Sequence, residues 1–288
     1  HYRSVAIPGL FLDPIFCAHF IVSVIHRFDP QVPQGNSPVL ESVVAAAQLL
    51  GVDLDDRQQA QFQRYRELIE LRSQQFNLTG HKTWDKIREE LFIRSLRVLT
   101  PAGGSVPTPE WFAGKRAIDV GTGAGIPGMI LKIALPDLEV TLLDSMGKRT
   151  NFLAEVANEL ELKGLEVITG RAEDLGQEIG HREAYDVVVA RGVARLAELS
   201  ELTVPFAKIG GTVILPKSQG VQDEVDEASA AFEVLGSAPA LVIPVDKPGS
   251  SPPDDMVYLM KISSTPEQFP RRVGIPHQSP LIEPDEND

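Results

Sequence analysis

The chain has 288 residues, 43% hydrophobic and 23% charged, proportions that exclude collagen, coiled coil and wholesale disorder. Acids outnumber bases 40 to 27, a formal charge of −13, so nucleic acid cannot be held by bulk electrostatics and any polyanion contact must be local. The one cysteine, Cys17, leaves no disulfide partner and no CxxC pair, which points to a reducing, cytoplasmic setting without a metal site.

Residues 1–39 end in a Pro/Gly/Asn/Ser cluster and read as a poorly ordered appendage or an upstream extension of the reading frame. The longest apolar stretch, 5–25, is interrupted by Pro8, Asp13, Pro14 and His19 and lacks a signal-peptide cleavage pattern. No membrane span is expected there, and Cys17 within it reads as a small apolar residue. Residues 40–104 form a helical region in three patterns. Positions 40–50 stop at Gly51; Asp55 or Asp56 caps a helix with Phe62, Tyr65, Leu68, Ile69 and Phe76 on one face; Thr83 opens a third, with Ile87, Leu91, Leu96 and Leu99 apolar.

Beyond Pro101 the period changes. Short β-type runs at 117–120, 140–143, 165–169, 186–190, 212–215, 240–243 and 256–262 alternate with helical patterns near 127–135, 146–162, 194–207 and 220–234. Such alternation demands parallel strands with helices on both faces, a Rossmann-like doubly wound α/β sheet. The last two of the seven strands are joined only by a loop and are expected to pair antiparallel. This assigns an α/β domain to 105–264 and a tail to 265–288.

The first strand runs into Asp119-Val120-Gly121-Thr122-Gly123-Ala124-Gly125-Ile126-Pro127-Gly128. Glycines serve where a strand turns sharply into a helix and where a ligand comes too close for a Cβ. Gly123, Gly125 and Gly128 fit the dinucleotide GxGxxG, whereas Gly121, Gly123 and Gly125 preceded by Asp119 fit the acidic GxGxG of S-adenosylmethionine enzymes. The carboxylate favours the second: it would repel a pyrophosphate and attract the ammonium of a methionine moiety. Asp144, 23 positions after Gly121 at the end of the second strand, suits two ribose hydroxyls or caps the helix beyond it. Ala172 and Glu173 come after the third strand, where an adenine edge would be read.

The runs DVGTGAGIPG at 119–128, LLDSMGKRTNFL at 142–153, FNLTG at 76–80 and PRRVGIPHQSPL at 270–281 resemble the bacterial 16S ribosomal RNA methyltransferase G family, also called glucose-inhibited division protein B. The resemblance spans about 45–281. It implies a class I methyltransferase fold preceded by helices, with transfer of a methyl group from S-adenosylmethionine to N7 of guanine-527. The expected cofactor set is Asp119, Gly121, Gly123, Gly125, Ile126, Asp144, Ser145, Ala172, Glu173 and Arg191. Of these, Gly121, Ile126, Ala172, Glu173 and Arg191 come from the family pattern. The chain departs from that pattern where the family usually has a His and an Asp-Ser, reading Leu91-Phe92-Ile93-Arg94-Ser95.

The residues after the fourth strand constrain the chemistry. Methylation of an exocyclic amine uses an Asn/Asp-Pro-Pro-aromatic turn, but the chain reads Ala190-Arg191-Gly192-Val193. Methylation of a pyrimidine C5 uses a thiolate, and Cys17 is remote in sequence from the sheet. Guanine N7 carries a lone pair and no proton, so positioning suffices and no catalytic acid or base is expected. Arg191 suits the cofactor carboxylate or guanine O6. Lys148, Arg149 and Lys217, with Lys82, Lys86 and Arg94 from the helical region, are the expected RNA contacts. They converge only if that region folds back over the carboxyl edge of the sheet. The expected partner is 16S rRNA in the small subunit or its precursor, met by a monomer away from membranes. The alternatives are a catalytically silent, cofactor-binding assembly factor and an NAD-dependent oxidoreductase.

Overall fold

The seven β-type runs form one sheet in the computed structural model, which describes residues 39–75, 78–81, 83–100, 108–245 and 253–282. The strands are β1 (Arg116–Val120), β2 (Glu139–Asp144), β3 (Leu165–Thr169), β4 (Tyr185–Val189), β5 (Ala207–Ser218), β6 (Leu241–Val245) and β7 (Asp254–Met260). Their order is β3-β2-β1-β4-β5-β7-β6. Strands β1 to β5 run parallel, and β7 inserts antiparallel between β5 and β6, so the expected antiparallel pairing of the last two strands is present. The order reverses at β1, whose neighbours are β2 and β4; in an open α/β sheet the crevice beyond the carboxyl ends of such strands is where ligands bind.

The helices are α1 (Val39–Leu49), α2 (Asp56–Ser73), α3 (Trp84–Ile87), α4 (Arg94–Leu96), α5 (Gly128–Ala134), α6 (Gly147–Glu159), α7 (Ala172–Leu175), α8 (Leu196–Thr203), α9 (Gln222–Glu227), α10 (Ser229–Val234) and α11 (Ile275–Gln278). The third helical pattern is not a plain α-helix: a π-helical stretch, Arg88–Ile93, separates α3 from α4. The single helix expected over 220–234 is divided at Ala228 into α9 and α10, and that over 194–207 ends at Thr203 in a 3-10 turn, Val204–Phe206. Helix α2 begins where the sequence indicates, with Asp55 and Gln58 forming a reciprocal capping box.

Two hydrophobic cores flank the sheet. One joins Phe62, Tyr65, Ile69 and Phe92 of the helical region to Met129, Leu142, Phe152 and Val156 of the α/β unit; the other fills the opposite face around Ile118, Val188 and Phe206. Each buried aromatic or aliphatic side chain contributes roughly 1.5–3 kcal/mol, so α2 is held chiefly by its apolar face. Polar contacts fix its register. Gln58 Nε2 donates to the carbonyls of Ile133 and Ala134 at the end of α5 (2.9 and 3.0 Å), and Gln61 Nε2 donates to Leu160 O beyond α6 (2.7 Å). Those carbonyls have no partner inside their own helices.

Residues 1–38 of the appendage, with the apolar stretch 5–25 and Cys17, lie outside the described residues, as do Phe76 and Lys82; Val39 instead opens α1. Among those described, no helix is long and apolar enough to cross a membrane, and no His/Cys/Asp/Glu cluster suits a metal.

Candidate cofactor site

The glycine turn leaves β1 through three residues in the left-handed region, Gly121 (φ 71°), Gly123 (φ 60°) and Gly125 (φ 93°). A Cβ on Gly125 would stand 2.6 Å from the Tyr65 hydroxyl, and one on Gly128 would stand 2.4 Å from Leu142. These two glycines therefore admit protein. Gly123 differs: a Cβ there would meet only Gly121 O, at 4.0 Å, leaving its open side free for a ligand.

Two carboxylates tie the turn down. Asp144 Oδ2 accepts from Gly123 N (2.9 Å) and Oδ1 from Met146 N (2.9 Å), with Arg149 Nη1 3.3 Å from Oδ2. The same side chain thus supports the glycine turn and the start of α6, and a carboxylate with about four acceptor positions retains capacity for ribose hydroxyls. Asp119 is fully buried; its Oδ2 accepts from Thr122 Oγ1 (2.6 Å) and Gly128 N (2.7 Å), while Oδ1 is buried without a partner. Burial raises its pKa to about 6 against the opposing effects of those hydrogen bonds and of Arg191.

Asp119 lies opposite Val189 in the β1–β4 register, and Arg191 stands two residues beyond. Burial is the main cause that lowers Arg191 to about 10, the charge of Arg94 adds to it, and Asp119, Asp254 and Glu90 oppose it. Its Nη1 is a second buried orphan. A carboxylate and a guanidinium, each with one polar atom buried without a hydrogen-bond partner, thus occur at the switch point, which fits the ammonium and carboxylate of an amino-acid moiety. Native proteins rarely bury polar atoms unsatisfied.

Beside them opens a cleft lined by Gly121, Asp144, Ser145, Ala172, Glu173 and Val193, among others. Five of the ten expected cofactor residues meet there, contributed by the ends of β1 and β2 and by the start of α7. Gly125 and Ile126 are instead buried under the helical region. The Glu173 carboxylate is held below its ordinary range: burial opposes ionisation, but Arg171, its own amide and Gly274 N outweigh it. The Gly274 contact (3.1 Å) comes from the tail, which sequence reasoning did not connect to the pocket. The tail is anchored by Arg271, whose Nε and Nη2 reach the buried Glu201 at 2.9 and 2.6 Å.

A family model described as rRNA small subunit methyltransferase G matches residues 58–248. The chain belongs to this family. Among curated relatives named "Ribosomal RNA small subunit methyltransferase G", that of Clostridium botulinum strain ATCC 19397 is 38% identical over 81% of this chain and 94% of its own. That of Lachnoclostridium phytofermentans is 39% identical over 81% and 93%, and that of Dehalococcoides mccartyi strain BAV1 is 38% identical over 84% and 100%. The chain is accordingly a methyltransferase with S-adenosylmethionine as its cofactor, and the dinucleotide reading of the turn falls.

The expected RNA contacts separate into two groups. Lys86 and Lys148 are exposed. Lys217 Nζ is engaged by Glu224 Oε1 (2.8 Å) and Ala194 O (3.1 Å), and Arg149 leans on Asp144. Arg94 donates from Nε to Asp254 Oδ2 (3.0 Å) and also pairs with Glu90, while Arg97 reaches the same Asp254. Asp254 pairs with Ser218 at the end of β5, so the helical region does meet the carboxyl edge, and Arg94 serves that joint rather than projecting from it. Sequence reasoning also passed over Tyr65 as one more residue of an apolar face.

Proposed function

We propose that this enzyme methylates N7 of guanine-527 in 16S rRNA, in the small subunit or its precursor, acting as a cytoplasmic monomer. The name its relatives carry supports the substrate. The observation that carries the reading is the paired orphans Asp119 Oδ1 and Arg191 Nη1 beside the cleft at the switch point, in a chain whose fourth strand leads into Arg191-Gly192-Val193 and not into an amine-methylating turn.

When bound, the cofactor supplies an electrophilic methyl on a sulfonium. That methyl would pass to the N7 lone pair, with no proton to be removed from the base. The protein's task is therefore geometric. Asp119 and Arg191 hold the amino-acid end, Asp144 the ribose, and Ala172 with Glu173 the adenine edge. The open side of Gly123 lets the ligand lie against the backbone. Exposed Lys86 and Lys148 contact phosphates.

Mapping N7-methylguanine along 16S rRNA from cells with and without the protein tests this. A modification at position 527 that disappears with the protein and returns with it is the expected result. An unaltered pattern removes the proposed target.

A further inference from the structure

The Tyr65 side chain is fully buried, and its hydroxyl donates to Ala124 O, the carbonyl between Gly123 and Gly125 of the turn. A Cβ on the third glycine of the motif would stand 2.6 Å from this hydroxyl, with Leu153 and Met129 within 2.9 Å, and its φ of 93° also favours glycine. Burial, reinforced by the negative charge of Asp119, drives the phenol pKa far above its ordinary 10, so the group remains a donor at every physiological pH. Asp119 and Arg191, the two groups proposed to hold the amino-acid end, both act electrostatically on Tyr65.

The ring is fixed as firmly as its hydroxyl. It stacks on Phe92 of the π-helical stretch (centroids 5.5 Å, planes 13° apart). Phe92 also tilts against Phe62 at 5.8 Å and meets Trp84 edge-on at 5.5 Å, and Arg66 covers the Trp84 ring at 4.6 Å. A π-turn widens the helix by one residue and is found disproportionately at functional sites; here it belongs to the stretch that presents Phe92 to Tyr65. An aromatic stack thus runs from Arg66 and Trp84 to the backbone of the turn.

From this geometry we propose that Tyr65 is a positioning residue for methyl transfer, holding the Gly123–Gly125 peptides in the conformation that accepts the cofactor. The helical region is on this account part of the cofactor site. The inference rests on the placement of the cofactor at the glycine turn.

Tyr65→Phe keeps the stacking and removes the one donor. S-adenosylmethionine binding by calorimetry and the KM-against-kcat split on small subunits should be measured beside Gln58→Ala, which removes an anchor of α2 at the far end of α5. A neutral hydrogen bond corresponds to about fivefold in an equilibrium. We expect Tyr65→Phe to raise both Kd and KM for the cofactor about fivefold to tenfold, with a smaller change in kcat. Gln58→Ala should lower the melting temperature and leave both constants unchanged. Wild-type Kd and KM in Tyr65→Phe overturn the proposal, as does an equal loss in both variants, which would reduce Tyr65 to general packing. A Gly123→Val control separates the two levels: if that branched Cβ leaves binding intact, the placement of the cofactor fails as well.

Discussion

Replacing Asp119 with Asn should stabilise the protein without cofactor while weakening its hold on S-adenosylmethionine. Asn retains an acceptor for Gly128 N and Thr122 Oγ1 and removes the charge that burial opposes. The side chain is fully buried, so solvent screening does not discount the effect. The pKa rises from 3.8 to about 6 on folding, which at about 1.4 kcal/mol per tenfold amounts to about 3 kcal/mol. The sign is set by the raised folded-state value: the stability of the wild type is fully present below pH 4 and is lost as pH rises through about 6. The variant lacks that loss. At about 2–4 °C per kcal/mol for a chain of this size, Asp119→Asn should melt roughly 6–12 °C above the wild type at pH 7.5 and at nearly the same temperature at pH 4. Cofactor reverses the comparison, because its ammonium favours the ionised carboxylate. The rise in melting temperature on adding S-adenosylmethionine should grow between pH 5 and 7 in the wild type and be small and flat in the variant. Differential scanning fluorimetry across pH, with and without cofactor, reads both effects. A variant that melts below the wild type at pH 7.5 and keeps the full cofactor shift refutes the reasoning.

Two further outcomes are expected. Asp144→Ala should weaken cofactor binding by about 1–3 kcal/mol, since a charged acceptor is lost from the pocket and Gly123 N and Met146 N lose their partner; normal methylation at limiting cofactor would leave Asp144 as a helix support only. Paired Lys86→Glu and Lys148→Glu reversals should reduce small-subunit binding and flatten its salt dependence with cofactor affinity unchanged, because phosphate contacts set the salt slope. Filter binding over a salt series checks this, and a wild-type slope would move the RNA path elsewhere.

The seven strands, the antiparallel end of the sheet, a cap at Asp55 or Asp56 and the glycine turn were legible because each is written locally. A period of two or 3.6, a left-handed backbone position or a carboxylate at a fixed offset needs only neighbouring residues to be read. The family resemblance drew on the same local runs. Five of the ten expected cofactor residues line one cleft because loops at the carboxyl edge of a doubly wound sheet converge at its switch point whatever their separation in sequence.

Partnership is different. A lysine such as Lys217 looks the same in sequence whether it faces solvent or, as here, Glu224 and Ala194. Arg94 stands where the family usually has an Asp and reads in sequence as an RNA contact, yet the folded chain sets it on Asp254, 160 positions away, with Arg97 beside it. Glu173 receives Gly274 from the tail, and Gly125 yields its Cβ to Tyr65. The sequence by itself determined the periods, turns and motif spacings that specify the sheet and the cofactor class. Only the tertiary structure decided which charges are spent inside the molecule and which glycine of the turn is left open, because a hydrogen bond or ion pair requires atoms within about 3 Å and the chain brings such distant atoms together only on folding.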